Sequence, residues 1–129
     1  MARASIDFNE PDLAIRIEQL SQFELDQLPF GVILLDRDGN VKFYSETEAR
    51  LSGYGKIPIG QNLFKISDCF GRPDFRGRIM EAMEMGRLDL EFEWPRDFAD
   101  PNRKLRIRVQ SSRNGGIWLF IDRIKLVAA

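Results

Sequence analysis

From Leu88 to Ile124 the chain carries a two-residue period, and that period limits the fold more than any other feature of the sequence. Leu88, Leu90, Phe92 and Trp94 fall on one side of an extended chain, with Asp89, Glu91 and Glu93 on the other. Leu105, Ile107 and Val109 alternate in the same way with Arg106, Arg108 and Gln110. A row of acids and a row of bases suit antiparallel neighbours that pair charge across strands. Arg113-Asn114-Gly115-Gly116 is a turn joining strand 104–111 to a third strand, 117–124. The alternation predicts one apolar side and one solvated side for each strand.

The first half holds a hairpin and a run of short helices. Phe30-Gly31-Val32-Ile33-Leu34-Leu35-Asp36 is rich in branched apolar residues, and Asp38-Gly39 marks a tight turn into Val41-Lys42-Phe43-Tyr44. Residues 45–52 read as a short helix stopped by Gly53, residues 55–60 as a loop, and Leu63 to Ile66 as one helical turn, with Cys69 at or just past its end. The strongest helix runs from Asp74, its expected N-cap, to the stop at Gly86, with Phe75, Ile79, Ala82 and Met83 on one face. Nearer the start, two short pieces with Leu13, Ile15, Ile17 and Leu20, then Phe23 and Leu25, predict a helical cap, the first capped by Asn9 or Asp12. Its small apolar area makes it the part most readily detached. The expected organisation is a cap over 1–28, a core over 29–125 and a tail over 126–129. Two strands, a helical middle and three strands resemble a PAS domain: α+β, a five-stranded antiparallel sheet with short helices enclosing a pocket on one face.

Composition excludes several chemistries. The chain has 129 residues, 43% of them hydrophobic and ten of them Phe, enough for one sizeable core. A net charge of -1 gives no field to draw in nucleic acid or an anionic membrane. The sequence contains no apolar stretch of signal-peptide or membrane-spanning length, so a cytoplasmic protein is expected. One cysteine without any histidine excludes an internal disulfide, a zinc site and the usual Cys-His nucleophile. Asp97 and Asp100 are the best-placed pair for acid-base chemistry, but loop acids ahead of Asn102 read as turn and cap residues, and no enzymatic activity is expected.

Three segments resemble the photoactive yellow proteins, within a similarity from about Leu25 to Arg123. Residues 28–36 resemble that family's first strand. Tyr44 through Asn62 resembles its phenol-binding helix and loop, with one residue fewer between Gly53 and Gly60, and Phe64 through Gly77, with Cys69, Pro73 and Phe75, its attachment loop. Trp118-Leu119-Phe120 resembles its aromatic last strand. The resemblance implies a blue-light photoreceptor carrying 4-hydroxycinnamic acid (p-coumaric acid) as a thioester on Cys69. Trans-cis isomerisation and proton transfer would then drive a signalling change. Tyr44 and Glu48 match the pair that hydrogen-bonds the phenolic oxygen, Glu48 as a neutral carboxylic acid, and Ser52 matches a threonine supporting the tyrosine. Glu46, two residues from Glu48, cannot face the same way on a helix, whereas Tyr44 and Glu48 share a face if the helical turn begins near Tyr44.

The remaining matched positions line or cover the pigment. Phe64 opens the attachment segment, and Phe98, with Trp94 and Arg96, matches the loop that packs on it, reshaped here by Pro95 and Pro101. Tyr54 stands where the family usually has an arginine, so the pocket would be closed by stacking instead of by a cation. The implied partners are the small-molecule chromophore and an unidentified downstream signalling protein, with a homodimer left open. The alternative is a PAS module without chromophore that binds another ligand or a protein.

Overall fold

A five-stranded antiparallel sheet in the order β2-β1-β5-β4-β3 organises the chain: β1 Gly31–Leu35, β2 Val41–Tyr44, β3 Asp89–Trp94, β4 Arg103–Ser111 and β5 Ile117–Lys125. The computed structural model describes residues 6–53, 55–67, 70–86, 88–97 and 100–126; most of the expected tail, 127–129, lies outside them. Among the described residues no helix is long and apolar enough to cross a membrane.

The inner face carries the larger core. Ile33 and Leu35, Ile107 and Val109, and Ile117, Leu119 and Ile121 pack there against helices α3 Glu46–Leu51, α4 Leu63–Ile66 and α5 Pro73–Glu84. Asp74 does not cap α5. Arg72 takes the N-cap position without a side-chain bond, because Pro73 starts the helix one residue earlier with its preset φ and missing N-H. Gly86 ends it in the left-handed region at φ 81°.

The outer face is where the alternation misleads. Glu91 lies opposite Arg108 and Glu93 opposite Arg106, and Arg106 bonds Glu91 at 2.6 Å while Lys104 bonds Glu93 at 3.3 Å, as the charge rows predict. Yet Arg108 and Gln110 are buried, at 8% and 6% exposure. The N-terminal segment lies across them. Arg108 donates to the carbonyls of Phe8 and Glu10, both at 2.6 Å, and of Pro11 at 3.2 Å. Gln110 accepts from the Ala14 N-H at 2.8 Å and donates to the Pro11 carbonyl at 2.9 Å. A segment whose backbone is not yet in a helix has unpaired carbonyls, and long polar side chains on the sheet satisfy them.

Around this polar clasp, Phe8, Leu13, Ala14, Ile17 and Leu25 bury themselves against Phe30, Val32, Trp118 and Phe120. The helices are α1 Leu13–Ile17 and α2 Gln22–Asp26. Asp12 precedes α1 without making a cap bond, and the Asn9 side chain accepts from Arg106 instead. Ser21 and Glu24 close a reciprocal capping box on α2. Ile15 and Phe23 face solvent, at 59% and 65% exposure, so the apolar contribution comes from fewer cap residues than expected and the polar one from more.

Candidate functional site

Helix α3 sets the site. Ser45, fully buried, caps it by accepting from the Glu48 N-H at 3.2 Å, and the same hydroxyl accepts from the Val32 N-H on β1 at 3.1 Å. The Thr47 hydroxyl donates toward the carbonyls of Leu28, at 2.7 Å, and Asp26, at 3.1 Å. Pinned to strand β1 on one side and to residues 26–28 on the other, the helix has a fixed rotation. Glu48 points inward and is 1% exposed, whereas Glu46 is exposed.

Tyr44 reaches the site by a different route from the one the spacing suggests. It is the last residue of β2, and the helix starts two residues later, so a shared helical face does not bring Tyr44 and Glu48 together. The Tyr44 hydroxyl instead lies 3.3 Å from the Ser52 hydroxyl, at the far end of α3. Its ring belongs to the inner core with Phe64, Phe70 and Phe75. Phe64 is 8% exposed, on α4, with the Arg76 guanidinium 5.4 Å from its ring centre. Phe75 is the hub of an aromatic wall, 4.5 Å from Phe92, 5.4 Å from Trp94 and 5.5 Å from Phe70 between ring centres. Arg96 is exposed. Cys69, Tyr54 and Phe98 lie outside the described residues.

The principal finding that the spacing did not announce is what holds Glu48. Both its carboxylate oxygens accept from the Arg123 guanidinium, at 2.6 and 2.9 Å. Arg123 also donates through Nε to Asp97 at 3.2 Å, and Arg103 forms an ion pair with the same Asp97 oxygen at 2.7 Å while donating to the Leu51 carbonyl at 2.9 Å. Asp97 is therefore a buried counter-ion, 6% exposed, not a turn residue, while Asp100 does accept from the Asn102 N-H as a turn acid. Two-residue alternation would have found both arginines. Arg123 follows Ile117, Leu119 and Ile121 on the inner face of β5, and Arg103 precedes Leu105 and Ile107 on the inner face of β4.

Electrostatics here balance burial against pairing. Burial pushes the Glu48 carboxyl above its ordinary value, and the two bonds from Arg123 oppose that without reversing it. Burial alone would lower Arg123, but Glu48 and Asp97 more than offset it, and the guanidinium stays charged throughout. Glu48 is thus a buried, paired acid that takes up a proton more readily than an exposed glutamate.

No protein-family model matches the chain. A photoactive yellow protein of Rhodothalassium salexigens is 30% identical over 122 residues, covering 92% of this chain and 98% of that protein. One from Halochromatium salexigens is 29% identical with the same coverage. Among solved structures, the crystal structure of the photoactive yellow protein domain from the sensor histidine kinase Ppr of Rhodospirillum centenum superposes with a TM-score of 0.69 at 34% identity, over 83% of this chain and 96% of that one.

Proposed function

The chain belongs to the photoactive yellow protein family, and on that premise we propose that it is a blue-light photoreceptor PAS domain that takes 4-hydroxycinnamic acid as a thioester on Cys69. The observation that carries this reading is the buried polar set on the helix-bearing face of the sheet. The Tyr44 hydroxyl adjoins that of Ser52, Tyr44 packs in the inner core with an aromatic layer of Phe64, Phe70 and Phe75, and the Glu48 carboxyl is buried against Arg123 on the same side of the sheet. A buried phenolic oxygen needs such donors, and a planar ring needs such a layer. When bound, the group would supply visible absorption, a double bond open to trans-cis isomerisation, and an acidic phenol.

The protein's own residues supply the response. Tyr44 and Ser52 orient a phenolic oxygen, and Glu48 is the acid that exchanges a proton at its carboxyl oxygens. A change in Glu48 charge bears directly on α3. That helix is bonded through Thr47 and the Glu46 N-H to Asp26 and Leu28, so the signal would leave toward the N-terminal cap. The Rhodospirillum centenum relative is a domain of a sensor histidine kinase, and a signalling protein is the partner we propose.

Reconstitution with activated 4-hydroxycinnamic acid tests the reading. The chain should become coloured and gain about 146 Da, the acid less one water, by thioester formation at a cysteine nucleophile. Cys69→Ala should lose both, and a covalent label retained in that variant would overturn the assignment. A chain that stays colourless is the PAS module without chromophore. In the coloured protein, Glu48→Gln should move the band to the red because an amide is the weaker donor, and Glu46→Gln, on the exposed side of α3, should leave it in place.

A further inference from the structure

We propose that Arg123, anchored by Asp97, is the positioning residue that orients the Glu48 carboxyl against β5 and favours its charged form until a proton or a phenolic ligand releases it. The inference rests on the preceding reading only in taking Glu48 as the titrating acid of the site.

Three features of the cluster support it. The contact is two-pronged, with both Glu48 oxygens on one guanidinium, and such forked pairs fix orientation as well as charge. The partners are shielded from solvent, with side-chain exposures of 2% for Glu48 and 5% each for Arg123 and Asp97, so the attraction is little screened. Arg123 also has a second acid to fall back on. If Glu48 becomes neutral or turns to another donor, the guanidinium keeps its Nε bond to Asp97 and is not left as an unpaired buried charge. The release therefore costs less than breaking an isolated buried pair.

The groups around Glu48 make the direction of the effect definite. Arg123 faces it from β5, Arg103 from β4 and Asp97 from the loop after β3, while β1 presents the backbone of Gly31. The only forked partner among them is Arg123. Removing it takes away the bonds that favour the carboxylate and leaves burial and the Asp97 charge, both of which favour the acid, against the weaker Arg103 charge alone.

The test is the titration of the Glu48 side-chain carboxyl, followed by carbon NMR on the selectively labelled full chain without pigment. Arg123→Gln should raise the midpoint by about one pH unit or more, the size expected on losing an opposite charge at hydrogen-bond distance. Arg123→Lys should recover part of that shift, because an ammonium restores charge but not the fork. Asp97→Asn should lower the midpoint, since it removes a like charge. A Glu48 midpoint unchanged in Arg123→Gln, or equally displaced in Arg123→Lys and Arg123→Gln, would overturn the proposal. Because this experiment uses unloaded protein, its failure is distinct from a failure of Cys69 to take pigment.

Discussion

Replacing Arg108 with alanine is expected to speed amide exchange across residues 8–17 by about two orders of magnitude, while the amides of Ile107, Val109 and Leu119 stay near their wild-type rates. The guanidinium is the buried donor to the Phe8 and Glu10 carbonyls and a second donor to Pro11, and nothing of alanine's size replaces it. Buried acceptors deprived of their donor cost about 1 to 3 kcal/mol each, more when the lost partner is charged, so a loss of about 3 kcal/mol falls on the cap. At 1.4 kcal/mol per factor of ten that is the stated rate change. Arg108→Lys should give an intermediate result, because an ammonium cannot span the three carbonyls as a planar fork does. Equal acceleration in cap and sheet would show that the two unfold as one unit, and the cap could not then be the segment that responds to Glu48.

Gly31→Ala should be the more damaging change for its size. A Cβ at Gly31 would fall within the van der Waals shell of Glu48 Oε1 and lie 2.9 Å from its Cδ. The first position of β1 is thus reserved for glycine by close approach. Accommodating the methyl means pushing the carboxyl off Arg123, so overpacking and a broken buried pair combine at an expected cost of about 3 to 5 kcal/mol. That is a large share of the ~5 to 15 kcal/mol that stabilises a domain of this kind. Urea unfolding followed by tryptophan fluorescence would show it as a lower midpoint. The double variant Gly31→Ala with Glu48→Ala makes room for the methyl and should recover at least half of the loss, while Arg123 keeps Asp97. A double variant no more stable than Gly31→Ala alone would place the clash elsewhere.

What could be read from the residues in order was whatever depends on local chemistry. Alternation at Leu88, Leu90 and Phe92 and at Leu105, Ile107 and Val109 specifies strands and their inner face, because side chains on a strand have only two directions to choose from. Asp38-Gly39 specifies the hairpin, since the turn needs the positive φ of 95° that Gly39 adopts beneath Phe64. That Glu46 and Glu48 cannot both face the interior follows from residues two apart lying on different helix faces, and the choice of Glu48 came with the family resemblance. The family resemblance in residues 28–36, 44–62 and 64–77 likewise belongs to the sequence.

Tertiary structure decided which polar residues lost their water. Arg108 and Gln110 carry the pattern of a solvated strand face, and only the arrival of the segment from Phe8 to Ala14, about a hundred residues away in the chain, turns that face into an interior. Tyr44 and Glu48 would have shared a face had a helical turn begun near Tyr44, but the strand end at Tyr44 breaks that count, and the tyrosine meets Ser52, the contact the family resemblance implied. Glu48 looked like an acid waiting for a ligand, and its Arg123 partner lies 75 residues on. A sequence states how residues a few positions apart are directed. Which charges must share a dry interior depends on strand order and on loops brought together by folding, and here that order placed Arg123, Arg103 and Asp97 around a single buried carboxyl.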